Sequence, residues 1–312
     1  MGKPAPPFRP RNGSSMHLRW SGCGGFEVRF PSVSVAFDPY FFGEALTAAD
    51  PVYDYIFITH EHFDHCHPPT LQRLCRGDRF RRLYVSPGCV DPAQPVAEVY
   101  GDAAFERDLP ITKSVTPDRV QVLHPGTTSS RIGAGREFPS NRPRDLERIA
   151  VEVMDSGESA CPDLPTCGYL VTDLETSVSI YHTGDLHEPY PELASVAGRV
   201  DYLIHMKTGL TEWEGDEQTE RLHQLIDWVR PRFLIPTHYR TDRRSDPIPH
   251  GTWPPDVTDA NAFVEWIRDQ VGGKTTVLPF TAGVWYEVAL PSLDVVWKWN
   301  WRRTWDVPPW RS

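Results

Sequence analysis

The stretch Thr59-His60-Glu61-His62-Phe63-Asp64-His65 places three histidines and one aspartate within six residues. It follows Tyr55-Ile56-Phe57-Ile58, a short apolar run rich in aromatic and β-branched residues that reads as a buried strand. The cluster therefore sits on a loop leaving a strand end, where open α/β sheets gather their sites. In an extended loop, residues two apart project the same way, so His60 and His62 are placed to grip one ion together. Asp64 and His65 then face a second position suited to another divalent ion or a polarised water. A merely solvated polar loop is the competing reading. Four ligand-type side chains this close together weigh against it.

The segment from His60 to His65 matches the His-x-His-x-Asp-His signature of the metallo-β-lactamase superfamily, and further segments agree. Order begins at His17-Leu18-Arg19-Trp20; the glycine turn Ser21-Gly22-Cys23-Gly24-Gly25 then leads into residues 26–30 and 33–37, which read as strands and end at Asp38-Pro39. This opening resembles most the branch containing L-ascorbate-6-phosphate lactonase and N-acylphosphatidylethanolamine phospholipase D. The glycine turn in that branch often carries a histidine; here Cys23 and Gly24 occupy the region. Thr183-Gly184-Asp185 follows an apolar strand as in the family, and Ile235-Pro236-Thr237-His238-Tyr239 resembles the segment supplying the family's last histidine ligand.

The resemblance covers residues 17–290 and implies an α/β fold, the αββα four-layer sandwich. It also implies a ligand set, with His60 and His62 on one ion, Asp64, His65 and His238 on the other, and Asp185 bridging. Asp38 would support the site from behind. One departure stands out. The strand at 149–154 delivers a third histidine in the family, and here the nearest ligand-type residue is Asp155, which is expected to take that place. A carboxylate there makes the site harder and more anionic, a donor set known for iron as well as zinc.

The 312 residues suffice for a sizeable core, and 39% hydrophobic with 24% charged residues is ordinary for a globular protein. A net charge of −10 argues against a general nucleic-acid binder. No apolar run reaches the roughly 18–20 residues of a membrane span. Residues 1–7 lack the apolar core of a signal peptide, so a cytoplasmic location is expected. The six cysteines form no Cys-x-x-Cys pair, which excludes a zinc ribbon.

Three segments are expected: a disordered tail at 1–15, one catalytic domain at 16–294 and a tryptophan-rich extension at 295–312. Helices are expected at 70–82, 216–230 and 259–270, and one within 91–118. The alternation of Trp297, Trp299 and Trp301 suggests one face of a strand, packed across the sandwich or between subunits of a homo-oligomer. The arginine-rich stretch 127–148 reads equally as a binding loop or a solvated surface.

Together these readings describe a hydrolase that uses a hydroxide shared by two divalent ions, zinc foremost, with iron or manganese as alternatives. Its substrate is a small anionic ester, lactone or phosphodiester. Asp64 and Asp185 are the candidate catalytic residues, and His187, His205 and Lys207 are candidates for contacting substrate. A di-iron oxygenase and a non-catalytic binding relative are the alternative readings.

Overall fold

The strand at residues 53–58 is buried on both faces, and the fold is layered around it. Tyr55 and Phe57 point into one apolar cluster, while Tyr53, Ile56 and Ile58 point into another. A strand with two buried faces belongs inside a sandwich, with a sheet on one side and helix on the other. The structure, a computed structural model, describes residues 15–22, 24–39, 52–62, 65–67, 70–71, 74, 79–90, 119–126, 148–157, 164–206, 216–237, 260–280, 283–290 and 292–300.

In chain order, six strands come first: β1 (Ser15–Gly22), β2 (Gly25–Arg29), β3 (Ser34–Phe37), β4 (Tyr53–Ile58), β5 (Phe80–Val85) and β6 (Val120–Val122). The next six are β7 (Ile149–Asp155), β8 (Cys167–Asp173), β9 (Ser179–His182), β10 (Tyr202–Met206), β11 (Phe233–Thr237) and β12 (Thr276–Val277). The last two are β13 (Val284–Ala289) and β14 (Val295–Asn300). One sheet has the order β14-β13-β1-β2-β3-β4-β5-β6, and the other β12-β11-β10-β9-β8-β7. Both are mixed. Strands β3 to β6 run parallel, as do β9 to β12, and the remaining pairs are antiparallel.

The main core lies between the sheets, where Leu18, Phe26, Val28 and Phe57 meet Val151, Tyr169 and Ile180. Helix α1 (Asp216–Val229) adds Leu222, Leu225, Ile226 and Val229 to this cluster, and α2 (Ala260–Val271) adds Ile267 and Val271. On the far side of the first sheet, helical residues Leu71 and Leu74 cover Ile56, Ile58 and Leu83. The layers are therefore helix, sheet, sheet and helix, the expected α/β sandwich. Among the described residues, no helix is long and apolar enough to cross a membrane.

The helix expected at 70–82 is shorter than its periodicity suggests. Thr70, Leu71 and Leu74 are helical, but β5 already begins at Phe80. Phe80 pairs with Tyr53 and is buried, while Arg81 reaches out to an ion pair with Asp54 at 3.3 Å. Cross-strand pairing thus overrides the local arginine pattern. The helices expected at 216–230 and 259–270 are α1 and α2. The expected tryptophan strand is β14, an edge strand antiparallel to β13. The tail before residue 15, the 91–118 helix, all of the 127–148 stretch except Arg148, and Trp301, Trp305 and Trp310 lie outside the described residues.

A charged cluster is buried where β1 meets β2. Arg19 and Glu27 face each other in register, and Arg19 Nε donates to Glu27 Oε1 at 2.6 Å. The Tyr53 hydroxyl donates to the other carboxylate oxygen at 2.6 Å, so both oxygens are satisfied. His17 pairs with Arg29 one step along. Burial first, then the Arg29 guanidinium, pushes its imidazole down from 6.5 to about 4. The folded chain therefore holds His17 neutral while the unfolded chain takes up a proton below pH 6.5. This contribution to stability is complete above pH 6.5 and is lost as pH falls toward 4. Denaturant titrations of wild type and His17→Gln should show it. The wild type is expected to lose about 2 kcal/mol more between pH 7 and 4.5 than the variant. Parallel pH profiles would show that His17 carries no such effect.

Candidate metal centre

The parallel strands bring the ligand-type residues to one rim. His60, His62 and His65 follow the end of β4, Asp185 follows β9, and His205 lies near the end of β10. The rims of the two sheets are tied together there. Cys167 N–H donates to the Thr59 carbonyl at 2.9 Å, and the Tyr169 hydroxyl donates to the Ile58 carbonyl at 2.9 Å.

The loop after β4 turns back on itself, because His65 and Cys66 amides both donate to the His62 carbonyl, at 3.0 and 2.7 Å. The imidazoles consequently pack together, with ring centres 4.4 Å apart for His60 and His62 and 4.1 Å for His60 and His65. His60, His62 and Asp185 each offer a ligand atom within 4.8 Å of the others. His60 Nε2 lies 3.6 Å from Asp185 Oδ2, and His65 Nε2 lies 2.9 Å from Asp185 Oδ1.

Hydrogen bonding decides which ring nitrogens face inward. Asp38 is fully buried, and Oδ1 accepts the Thr59 amide at 2.7 Å. Its Oδ2 accepts the Thr59 hydroxyl at 2.6 Å and His65 Nδ1 at 2.6 Å. Carboxylate oxygens only accept, so the Thr59 hydroxyl and the His65 Nδ1–H both donate. The Thr59 oxygen, its proton committed, accepts from His60 Nδ1 at 2.9 Å. His60 and His65 therefore both turn Nε2 toward Asp185, the presentation in which backing groups fix a histidine ligand. Imidazole nitrogens converging on a carboxylate at these spacings share a proton or a cation, and the donor set fits a divalent ion.

Small residues make the space. A Cβ at Gly24 would run into the His65 ring and stand 2.8 Å from its Nδ1. Gly184 has φ +60, and a Cβ there would meet Ser156 Oγ at 2.6 Å and Thr59 Cβ at 3.0 Å. The Thr-Gly-Asp turn accordingly needs glycine for both its dihedral and its packing.

Asp155 is placed differently from the expectation. It ends β7 exposed, and its Oδ1 accepts the Gly157 amide at 3.0 Å. It is not among the three residues whose ligand atoms converge. Local turn chemistry draws its carboxylate onto its own chain, and Gly157 supports that turn with φ +78. The inward position goes to Ser156, fully buried, whose hydroxyl donates to the Thr183 carbonyl at 2.7 Å. Asp155 instead lines a cleft of about 350 Å³ with Pro125, Glu152, Met154, Tyr190 and Glu192.

His205 is buried, with Nδ1 2.9 Å from the Thr183 hydroxyl, and thereby braces the turn before Asp185. His187 is half-buried two residues past Asp185. Asp64, Lys207 and His238 lie outside the described residues. The sequence assigns no supporting role to Thr59, Ser156 or Gly24. Their roles come from contacts between distant segments, and only the adjacency of Thr59 to His60 was available as a signal.

Two substitutions separate the backing residues from the turn. Asp38→Ala is expected to weaken divalent-metal affinity about 10–100-fold in calorimetric titration, as loss of a ligand's partner does elsewhere. Asp155→Asn is expected to leave metal content unchanged by elemental analysis. A loss of metal in that variant would return Asp155 to the ligand set.

Comparison with known proteins agrees with this architecture. Residues 17–238 match the family described as Beta-lactamase superfamily domain. A UPF0173 protein of Pyrococcus furiosus is 23% identical over 232 residues, spanning 74% of this chain and 87% of that protein. Igni18, a metallo hydrolase from the hyperthermophilic archaeon Ignicoccus hospitalis, superposes with a TM-score of 0.58 at 17% identity, covering 89% of this chain and 100% of that one. CmlA, a diiron beta-hydroxylase from Streptomyces venezuelae, gives 0.52 at 15% identity and covers 90% of this chain but 55% of that one. The matched span runs from the first strand to the residue after β11, and the chain thus belongs to the beta-lactamase superfamily and carries the metallo-β-lactamase fold.

Proposed function

We propose that the protein is a metal-dependent hydrolase acting on a small molecule through an ester, lactone or phosphodiester bond. The observation that carries this reading is the convergence of His60, His62 and Asp185, with His60 and His65 held so that Nε2 faces the carboxylate. Divalent ions bound there would supply Lewis-acid polarisation of a carbonyl or phosphoryl oxygen and a more acidic water. His60, His62 and Asp185 would hold one ion, and His65 with Asp64 and His238 the other, so that Asp185 spans both. Zinc is the first choice for imidazole and carboxylate donors, with iron or manganese as alternatives. Asp155 is left out of this set because its side chain is exposed and engaged with Gly157.

The chain's own groups have separable tasks in this scheme. Asp38 and Thr59 fix the ring orientation of the imidazoles. Thr183 and His205 hold the turn that aims Asp185. Asp64 is assigned proton transfer, and His187 and Lys207 are assigned the substrate side. A di-iron oxygenase is the second reading. A mixed imidazole and carboxylate donor set suits iron, and the structurally similar CmlA is a diiron hydroxylase.

Elemental mass spectrometry of protein purified without chelator from cells supplied with zinc and iron tests the scheme. Two zinc or manganese ions per chain are expected, with hydrolysis in a screen of lactones and phosphoesters. Two irons with oxygen uptake would place the oxygenase first, and a metal-free protein would sink both readings in favour of a non-catalytic binding relative. Asp185→Ala is expected to lose most metal at both positions while retaining its circular dichroism spectrum. Wild-type metal content in that variant would remove Asp185 from the centre.

A further inference from the structure

His182, at the end of β9, is a buried imidazole that the scheme above leaves unassigned. Its Nε2 lies 2.7 Å from the Gly24 carbonyl, which belongs to the turn between β1 and β2 in the opposite sheet. Its Nδ1 takes the Gly184 amide at 3.0 Å. A carbonyl only accepts and an amide N–H only donates, so Nε2 carries the proton and Nδ1 the lone pair. The ring is therefore neutral, and its burial favours the same form. One face stacks on Phe37, with centres 5.4 Å apart, immediately before Asp38.

Each end of this imidazole touches a neighbour of a proposed ligand. Gly24 is the shelf against which the His65 ring rests, with no room for a Cβ between them. Gly184 immediately precedes Asp185. One rigid ring thus spans from the support of His65 on the first sheet to the support of Asp185 on the second. Between those two supports, His65 Nε2 approaches Asp185 Oδ1 to 2.9 Å.

We propose that His182 is a positioning residue that clamps the two sheets at the metal centre and sets the spacing of His65 against Asp185. The inference rests on the reading of this site as a metal centre. It assigns His182 a role in metal affinity and coordination geometry without contact with the ion. A histidine serving only as core filler would be replaced by an aromatic ring of similar size at little cost to the site.

The test uses the full chain stripped of metal and titrated with cobalt(II), whose visible absorption reports coordination. His182→Phe keeps the stack on Phe37 and removes both hydrogen bonds. His182→Asn keeps an acceptor near Nδ1 for Gly184, and His182→Gln keeps a donor that reaches the Gly24 carbonyl. Phe and Asn are expected to bind cobalt about 10–100-fold more weakly than wild type, with altered spectra. Gln is expected to recover most of the affinity and the wild-type spectrum.

Wild-type affinity and spectrum in His182→Phe would overturn the proposal, as would a loss in His182→Gln equal to that in His182→Phe. Gly24→Ala gives an independent arm if the His182 variants fold poorly. Its new methyl group pushes directly on the His65 ring, so a shifted spectrum is expected, and an unshifted one overturns the clamp. Failure of the wild-type chain itself to bind cobalt would defeat the metal-centre reading, and this inference with it.

Discussion

The Asp38 carboxylate, fully buried where β3 ends, takes hydrogen bonds from the Thr59 amide, the Thr59 hydroxyl and His65 Nδ1. A carboxylate removed from water survives only when its oxygens are this well satisfied. The residue also sits at φ +42, a left-handed backbone that costs a non-glycine residue about 1–3 kcal/mol. Surrounding structure holds it there. Its own amide donates to the Phe57 carbonyl at 2.9 Å, and the parallel pairing of β3 with β4 sets Phe37 beside Phe57. Directly for His65 and through the Thr59 hydroxyl for His60, this one anion dictates the orientation of two imidazoles. The site's chemistry thus depends on backbone pairing in a sheet interior.

The second dependence is on how the sheets face each other. The histidine loop belongs to one sheet and Asp185 to the other, so no single supersecondary unit contains the centre. Polar contacts close the rim, among them Cys167 to Thr59, Tyr169 to Ile58, and His182 to Gly24. Below them the aromatic stack of Phe37, Phe57, Tyr84 and Tyr169 fills the space between the layers, with ring centres about 5–6 Å apart. Bulky rings in this layer fix the separation, and directional bonds at the rim fix the register.

Much of this could be read along the chain. The spacing of His60, His62 and His65 after an apolar run announced a loop at a strand end, and Thr183-Gly184-Asp185 announced a second. Both signals are local, because a strand followed by ligand-type residues needs only a few neighbouring positions to be recognised. The apolar strand leading into Thr183, which is β9, was legible for the same reason. What escaped depends on partners far away in sequence. Gly24 and His182 are separated by 158 positions, and nothing near either one indicates the other. Asp155 shows the opposite failure: a ligand-type residue stood at the expected strand end, and a two-residue turn onto Gly157 claimed it. The helix after the motif ran too long on paper because the pattern of Arg79, Arg81 and Arg82 does not reveal that Phe80 is already paired with Tyr53.

The outward turn of Asp155 also sorts charge at the surface. It adds a carboxylate to a cleft wall that already holds Glu192 and Glu152, of which Glu152 pairs with the Arg199 guanidinium at 2.7 Å. This wall begins one residue before Ser156, which touches the turn bearing Asp185. A concave acidic surface raises the local concentration of cations and lowers that of anions. The cleft wall beside that turn therefore favours cations over anions at its surface.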